Sequence, residues 1–196
     1  LGSGHPDLRD LQDDVPPLLG LIVSTDGGRR WQSVSLLGRA DFHVLRAAGD
    51  RVYGVNATNG QFLASEDGGR TWKRRSPPAP VIDLAPNANR PAEVVASTED
   101  GMHVSRDGGA TWRPLTPGVG GLLARTRGGT LFVVDAEDGV HRSDDGGASF
   151  DAAGEIGGQP AAFAAHGDDL YVALHSNEVK TSSDGGRTWR LRVAPS

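Results

Sequence analysis

The chain has 196 residues, of which 37% are hydrophobic, enough to bury an adequate core, and no apolar run approaches the roughly 20 residues that span a bilayer. A net charge of −5 argues against nucleic acid as the default partner. With no cysteine, disulfides, thiol catalysis and Cys-based zinc sites are excluded.

Period-two alternation predicts short strands throughout. The first group, residues 1–37, is partial: GSGHP, GLIVS and WQSVSL are present, with no inner strand visible. Complete groups of four follow at 41–76 (FHVLRA, RVYGVNA, QFLAS, TWKRRS) and 80–115 (VIDLA, AEVVAS, MHVS, TWRPL). Two more lie at 120–153 (LLART, TLFVVDA, GVHRS, SFDAA) and 160–194 (AAFAAH, DLYVALH, EVKTS, TWRLRV). Residues 1–196 therefore read as one all-β domain, a β-propeller of four-stranded antiparallel blades.

One pattern recurs between third and fourth strands: STDGGRRW at 24–31, SEDGGRTW at 65–72, SRDGGATW at 105–112, SDDGGASF at 143–150 and SSDGGRTW at 182–189. Its aspartates Asp26, Asp67, Asp107, Asp145 and Asp184 are spaced by 41, 40, 38 and 39 residues, the mark of a repeat fold. Ser and Asp accept bonds from turn amides, and glycine supplies positive φ. Trp31, Trp72, Trp112, Phe150 and Trp189 close the copies, and each is expected to bury itself under its turn, so that truncation costs about 3–5 kcal/mol. A calcium role for the aspartates is the poorer reading, because no copy has the spacing of a calcium loop and one structural role explains all five.

S-x-D-G-G-x-T-W resembles the Asp-box, or BNR, repeat of sialidase-like propellers. SGHPD at 3–7, LLGLIVSTDGGRRW at 18–31 and ADFHVL at 40–45 resemble more narrowly a bacterial, largely uncharacterised group of glycosylhydrolase-like, or exo-sialidase-like, BNR-repeat proteins. That resemblance implies a six-bladed propeller, exported behind a signal or lipoprotein peptide to the cell envelope or beyond, with a further blade upstream of the SGHP segment. An upstream segment of about one and a half blades is expected on the repeat period, since an open arc leaves unpaired strand edges. The alternative is a five-bladed ring built by these residues alone.

The loops joining second to third strands emerge opposite the S-x-D-G-G turns, on the face where propellers of this family place active sites. They carry Thr58 and Asn59, then Glu99 and Asp100, then Asp135, Glu137 and Asp138, then His175, Asn177 and Glu178. The first group adds Asp7, Asp10, Asp13 and Asp14, so this face is acidic and open to a cation or a basic partner, although turn-forming carboxylates are the ordinary explanation. His5 and His43, on neighbouring blades, are placed to converge at the channel mouth with Asp41 or Asp7 in a set suited to zinc or another transition metal. The bland reading is inter-blade hydrogen bonding. His103 and His141 read as packing or surface residues. The basic cluster Arg70, Lys73, Arg74 and Arg75 reads as a solvated blade rim.

A sialidase needs three arginines on the sugar carboxylate, a tyrosine nucleophile with its glutamate, and an aspartic acid. Only Arg46 and Arg125 fall on inner strands, the two tyrosines Tyr53 and Tyr171 sit where aromatics pack between blades, and the Arg-Ile-Pro motif is missing. Asp83 on an inner strand is the foremost carboxylate for general acid chemistry, with Asp41 and Asp135 behind it, because burial raises an acid's pKa. Two functions remain open: a binding module or scaffold with a protein or glycan ligand on the acidic face, and a glycoside hydrolase acting at the channel mouth.

Overall fold

The computed structural model describes residues 1–7 and 14–194, which contain strands and turns and no helix. β1 (Leu21–Val23) and β2 (Gln32–Ser35) pair antiparallel, and Gly2 bridges to Ile22, so the SGHP segment runs alongside β1. Four meanders follow, each a four-stranded antiparallel sheet in sequence order. They comprise β3 (Phe42–Ala48) to β6 (Lys73–Arg75) through β4 (Arg51–Asn56) and β5 (Gln61–Ser65), and β7 (Val81–Asn87) to β10 (Arg113–Pro117) through β8 (Arg90–Thr98) and β9 (Gly101–Ser105). The last two are β11 (Leu122–Arg125), β12 (Leu131–Val134), β13 (Gly139–Ser143) and β14 (Asp151–Glu155), then β15 (Pro160–His166), β16 (Asp169–Leu174), β17 (Val179–Ser182) and β18 (Arg190–Val193). The chain is thus an all-β propeller of four-stranded blades. Inner strands β3, β7, β11 and β15 stand side by side around a channel of about 250 Å³ lined largely by alanine and leucine.

Each S-x-D-G-G turn is closed by its own side chains. Ser65 Oγ donates to Asp67 Oδ1 at 2.8 Å and accepts from Gly69 N at 2.8 Å. Asp67 in turn takes Thr71 N at 2.9 Å and Thr71 Oγ1 at 2.6 Å. Asp107, Asp145 and Asp184 repeat the arrangement with Thr111, Ser149 and Thr188. The hydroxyl first and the amide second hold these four carboxyls far below the usual carboxylate range. In the first turn Arg30 occupies the hydroxyl position, and Asp26, held chiefly by Arg30 N, is lowered without that extra donor.

The closing aromatics are the last turn residues, each directly before its outer strand, and they are half-buried where the sequence predicts full burial. Trp72, Trp112, Phe150 and Trp189 each fill the seam between their own sheet and the preceding one. Trp72 stacks on Phe42 at 5.1 Å and packs with Leu21, and Trp112 meets Phe62 edge-on at 5.8 Å. Phe150 packs on the cluster of Met102 and Leu131, and Trp189 on that of Val140 and Leu170. Trp31 is 49% exposed, and among the described residues no sheet packs on the side of β1 and β2 where its counterparts find a predecessor. The second glycine of the turn lets the seam close: at Gly69, with φ of +85°, a Cβ would collide with Leu21. Tyr53, fully buried, gives its hydroxyl to Pro91 O across a seam at 2.7 Å, a packing role like the one its second-strand position predicts.

Candidate functional site

The loop face opposite the turns is shaped by irregularity in the inner strands. Register shifts fall at the second residue of three of them, between Phe42 and Val44, Val81 and Asp83, and Pro160 and Ala162. The residues bulged outward are His43, Ile82 and Ala161, all at the end where the chain enters its blade from this face. A bulge re-aims the side chains that follow it. In β7 it leaves Ile82 39% exposed and turns Asp83 inward to 1% exposure.

Asp83 is consequently a clasp between three blades. Arg46 of β3 gives Nη2 to its Oδ2 at 2.8 Å, Leu84 N reaches Oδ1 at 2.8 Å, and Leu123 N of β11 reaches Oδ2 at 2.9 Å. Burial pushes this carboxyl up, while the Arg46 guanidinium and the two amides pull the other way. With every oxygen engaged, it presents nothing to a substrate in the channel.

Asp41, 6% exposed, takes the ring of His43 on Oδ2 at 3.1 Å, and the imidazole itself stands largely in solvent. Asp135 caps its own loop, accepting Glu137 N at 3.0 Å and Gly139 N at 2.8 Å on Oδ1. Its Oδ2 lies 2.7 Å from His141 Nε2. His141, read from sequence as packing or surface, is thus the partner of a loop carboxylate. Asp138 takes Gly158 N at 3.0 Å, and Glu178 takes Ser176 Oγ at 3.0 Å. Glu99, Asp100 and Glu137 are exposed. Of the acidic residues placed in the first loop, Asp10 and Asp13 lie outside the described residues.

His5 lines a different groove, of about 360 Å³, with Asp7, Pro16, Leu18 and Trp31 on the outside of the first sheet. The His/carboxylate set expected at the channel mouth is not assembled: among the described residues no group of three or more His, Asp or Glu side chains stands ready to hold a metal ion. His43 is bulged outward onto Asp41, while His5 turns into the groove beside Trp31.

Beside Asp135 lies an apolar depression of about 290 Å³ walled by Ile82, Leu122, Val134 and Pro160. Alternation in VIDLA gives no sign of this exposed Ile82, because only the register shift brings it out. The loop face therefore carries both an apolar hollow and exposed carboxylates. No described helix is long and apolar enough to cross a membrane.

No family model matches the chain. The curated Dispase autolysis-inducing protein of Streptomyces mobaraensis is 34% identical over 93 residues, 47% of this chain, and the chain spans only 25% of that protein's length. Among solved structures, YCF48 bound to D1 peptide superposes with a TM-score of 0.59 at 18% identity, over 89% of this chain and 64% of that one. The GH74 xyloglucanase of Xanthomonas campestris gives a TM-score of 0.62 at 24% identity, over 79% of this chain and 26% of that one. These two likenesses show the propeller fold, shared by a peptide-bound protein and a glycoside hydrolase.

Proposed function

We propose that the chain is part of an Asp-box propeller working outside the cytoplasm, secreted or held at the cell envelope by an upstream lipoprotein anchor, and that it binds a protein partner on its acidic loop face without performing catalysis. The observation that carries this reading is the state of Asp83. The foremost candidate acid is sealed into an inter-blade clasp, Asp41 is paired with His43, and Asp135 is tied to His141 and to its own loop amides. Among these three candidates no pair of facing carboxylates is left for glycosidic cleavage. The Ile82 hollow, on the same loop face as the exposed Glu99, Asp100 and Glu137, supplies a recognition surface in which apolar contact gives affinity and the carboxylates give orientation and salt dependence. The Streptomyces relative is named for inducing autolysis of dispase, an action on another protein, which favours a protein over a glycan as ligand.

Affinity capture from the fluid in which the producing cells grow tests this. The expected result is a defined protein retained by the wild type, released by salt, and lost with Ile82→Glu while an Arg74→Ala control on the rim still binds it. Release of reducing sugar from xyloglucan or a sialoside by the wild type, abolished in Asp83→Asn with the fold intact, establishes the glycosidase reading instead.

A further inference from the structure

The hairpin between β4 and β5 carries the single Asn–Gly pair of the chain, Asn59–Gly60, at its tip on the loop face. In such a pair the backbone nitrogen reaches its neighbour's carboxamide with least hindrance, because glycine has no Cβ to shield it. The base of the hairpin is tied down. Asn56 Oδ1 accepts Asp41 N at 3.0 Å, Thr58 N at 3.2 Å and Thr58 Oγ1 at 3.0 Å, and Asn56 faces Gln61 across the ladder. Its tip is open: Asn59 is exposed, Gly60 has φ of +67°, and a Cβ placed on Gly60 would meet nothing within 4 Å. Gln61 N donates to Asn59 Oδ1 at 3.1 Å, an Asx turn that folds the carboxamide back along the Asn59–Gly60 peptide. The same N–H polarises the side-chain carbonyl and opposes the charge that grows on Oδ1 when a nucleophile adds to Cγ.

We propose that Asn59 is a site of spontaneous deamidation, which converts the loop into aspartyl and isoaspartyl forms. Gly60 N adds to Asn59 Cγ, the Cγ–Nδ2 bond breaks, and the side-chain nitrogen leaves as ammonia with the proton that Gly60 N has given up. Water then opens the five-membered imide. Cleavage between Gly60 N and Cγ gives aspartate, and cleavage between Gly60 N and the Asn59 carbonyl carbon gives isoaspartate. In the intact hairpin Gly60 N donates to Asn56 O at 2.8 Å, so release of that bond is the local opening that admits the reaction. The other asparagines lack this combination. Asn56 and Asn87 are buried, and Asn87 Nδ2 is held at 2.9 Å by Glu93, which also gathers Arg90, Arg106 and Arg125. Asn89 and Asn177 precede Arg90 and Glu178, whose side chains crowd the nitrogen. Asp67, Asp107, Asp145 and Asp184 precede glycine too, but their turn donors hold them ionised, and a carboxylate ion resists the attack that a carboxamide accepts. Either product adds a carboxylate to the face that already exposes Glu99, Asp100 and Glu137, whatever partner that face takes.

Incubation of the whole chain at mildly alkaline pH, followed by peptide mapping with mass spectrometry and enzymatic methylation of isoaspartate, tests this. Mixed aspartate and isoaspartate are expected at Asn59, forming about tenfold or more faster than at any other asparagine and faster still as pH rises. The rate in the folded chain should be no more than about tenfold below that of a free peptide of residues 57–63. Asn59→Gln, whose longer side chain closes the ring far more slowly, should abolish the isoaspartate signal with thermal unfolding unchanged. An intact Asn59 under conditions in which the peptide reacts, equal rates at the other asparagines, or reaction only after unfolding in urea overturns the proposal.

Discussion

Removing the charge of Asp83 separates a structural clasp from a catalytic acid. Asp83→Asn keeps the shape but leaves Arg46 without its counter-ion, and the new amide offers two N–H groups where Arg46 and Leu123 already donate. Breaking a buried ion pair by removing one partner costs about 3–5 kcal/mol, and because the Arg46 side chain is 34% exposed and rehydrates in part, we expect about 2–4 kcal/mol here. Urea unfolding followed by tryptophan fluorescence measures it, with an unchanged m-value showing that the shift is one of stability. Arg46→Met makes the complementary case. Asp83 then sits buried without a cation, its folded pKa moves further above the unfolded value, and the folded state binds more protons than the unfolded one. The deficit of Arg46→Met should therefore be small through the unfolded carboxylate range, where Asp83 is protonated in both folded proteins, and grow as pH rises through the raised folded pKa of wild-type Asp83. A double variant with Asp83→Leu recovers only part of the loss, since the amides of Leu84 and Leu123 stay without an acceptor. A change below about 0.5 kcal/mol in Asp83→Asn, the range of an ordinary surface substitution, would refute the clasp and return Asp83 to the list of acids.

The seams and turns give three further expectations. Trp72→Ala, which loses the stack on Phe42, should cost about 2–4 kcal/mol in chemical unfolding, whereas Trp31→Ala should cost under about 1 kcal/mol because half of that ring is already in solvent. The hydroxyl and amide donors hold Asp67, Asp107, Asp145 and Asp184 below their unfolded pKa of about 3.9, so the folded state binds fewer protons. Their contribution to stability is complete above that value and is lost as pH falls below it, and an acid titration by circular dichroism should show Thr71→Val flattening the decline. Gly69→Ala and Gly68→Ala share a positive φ, but only the first drives a Cβ into Leu21. We expect about 1–2 kcal/mol of backbone strain at Gly68 and clearly more at Gly69, read from paired melting curves.

The sheets were legible because the S-x-D-G-G pattern punctuates the chain at a constant period and the segments between carry alternating apolar residues. In the four complete blades the outer strands start two residues later than the sequence implies, since Thr71, Trp72 and their counterparts spend their backbone on the turn and the aromatic side chains go to the seam. Half-burial of those aromatics was beyond the sequence for a related reason. Their depth is set by the sheet in front, and Trp31, which closes a closely similar motif, is nearly half exposed where its counterparts pack on a neighbouring sheet.

The candidate sites depended on something alternation does not carry. In β3 and β7 one register shift near the strand start decides whether an odd or an even residue faces the channel, and it moved His43 out and Asp83 in. Asp83 was singled out from its place on an inner strand, yet the same placement gave no hint that Arg46 and Leu123 from two other blades would use up its oxygens. Glu93 was passed over for the opposite reason. It lies inside RPAEVVAST as one charge among apolar residues, and its three arginines are supplied by its own strand, by the next turn and by an inner strand 32 residues on. In a repeat fold such convergence follows from the stacking of blades, so charged residues at the same strand end in consecutive repeats are the signal to look for. Arg46 and Arg125 stand on inner strands β3 and β11, each paired with a carboxylate of the intervening blade, so the same position in alternate repeats ties one blade to the next.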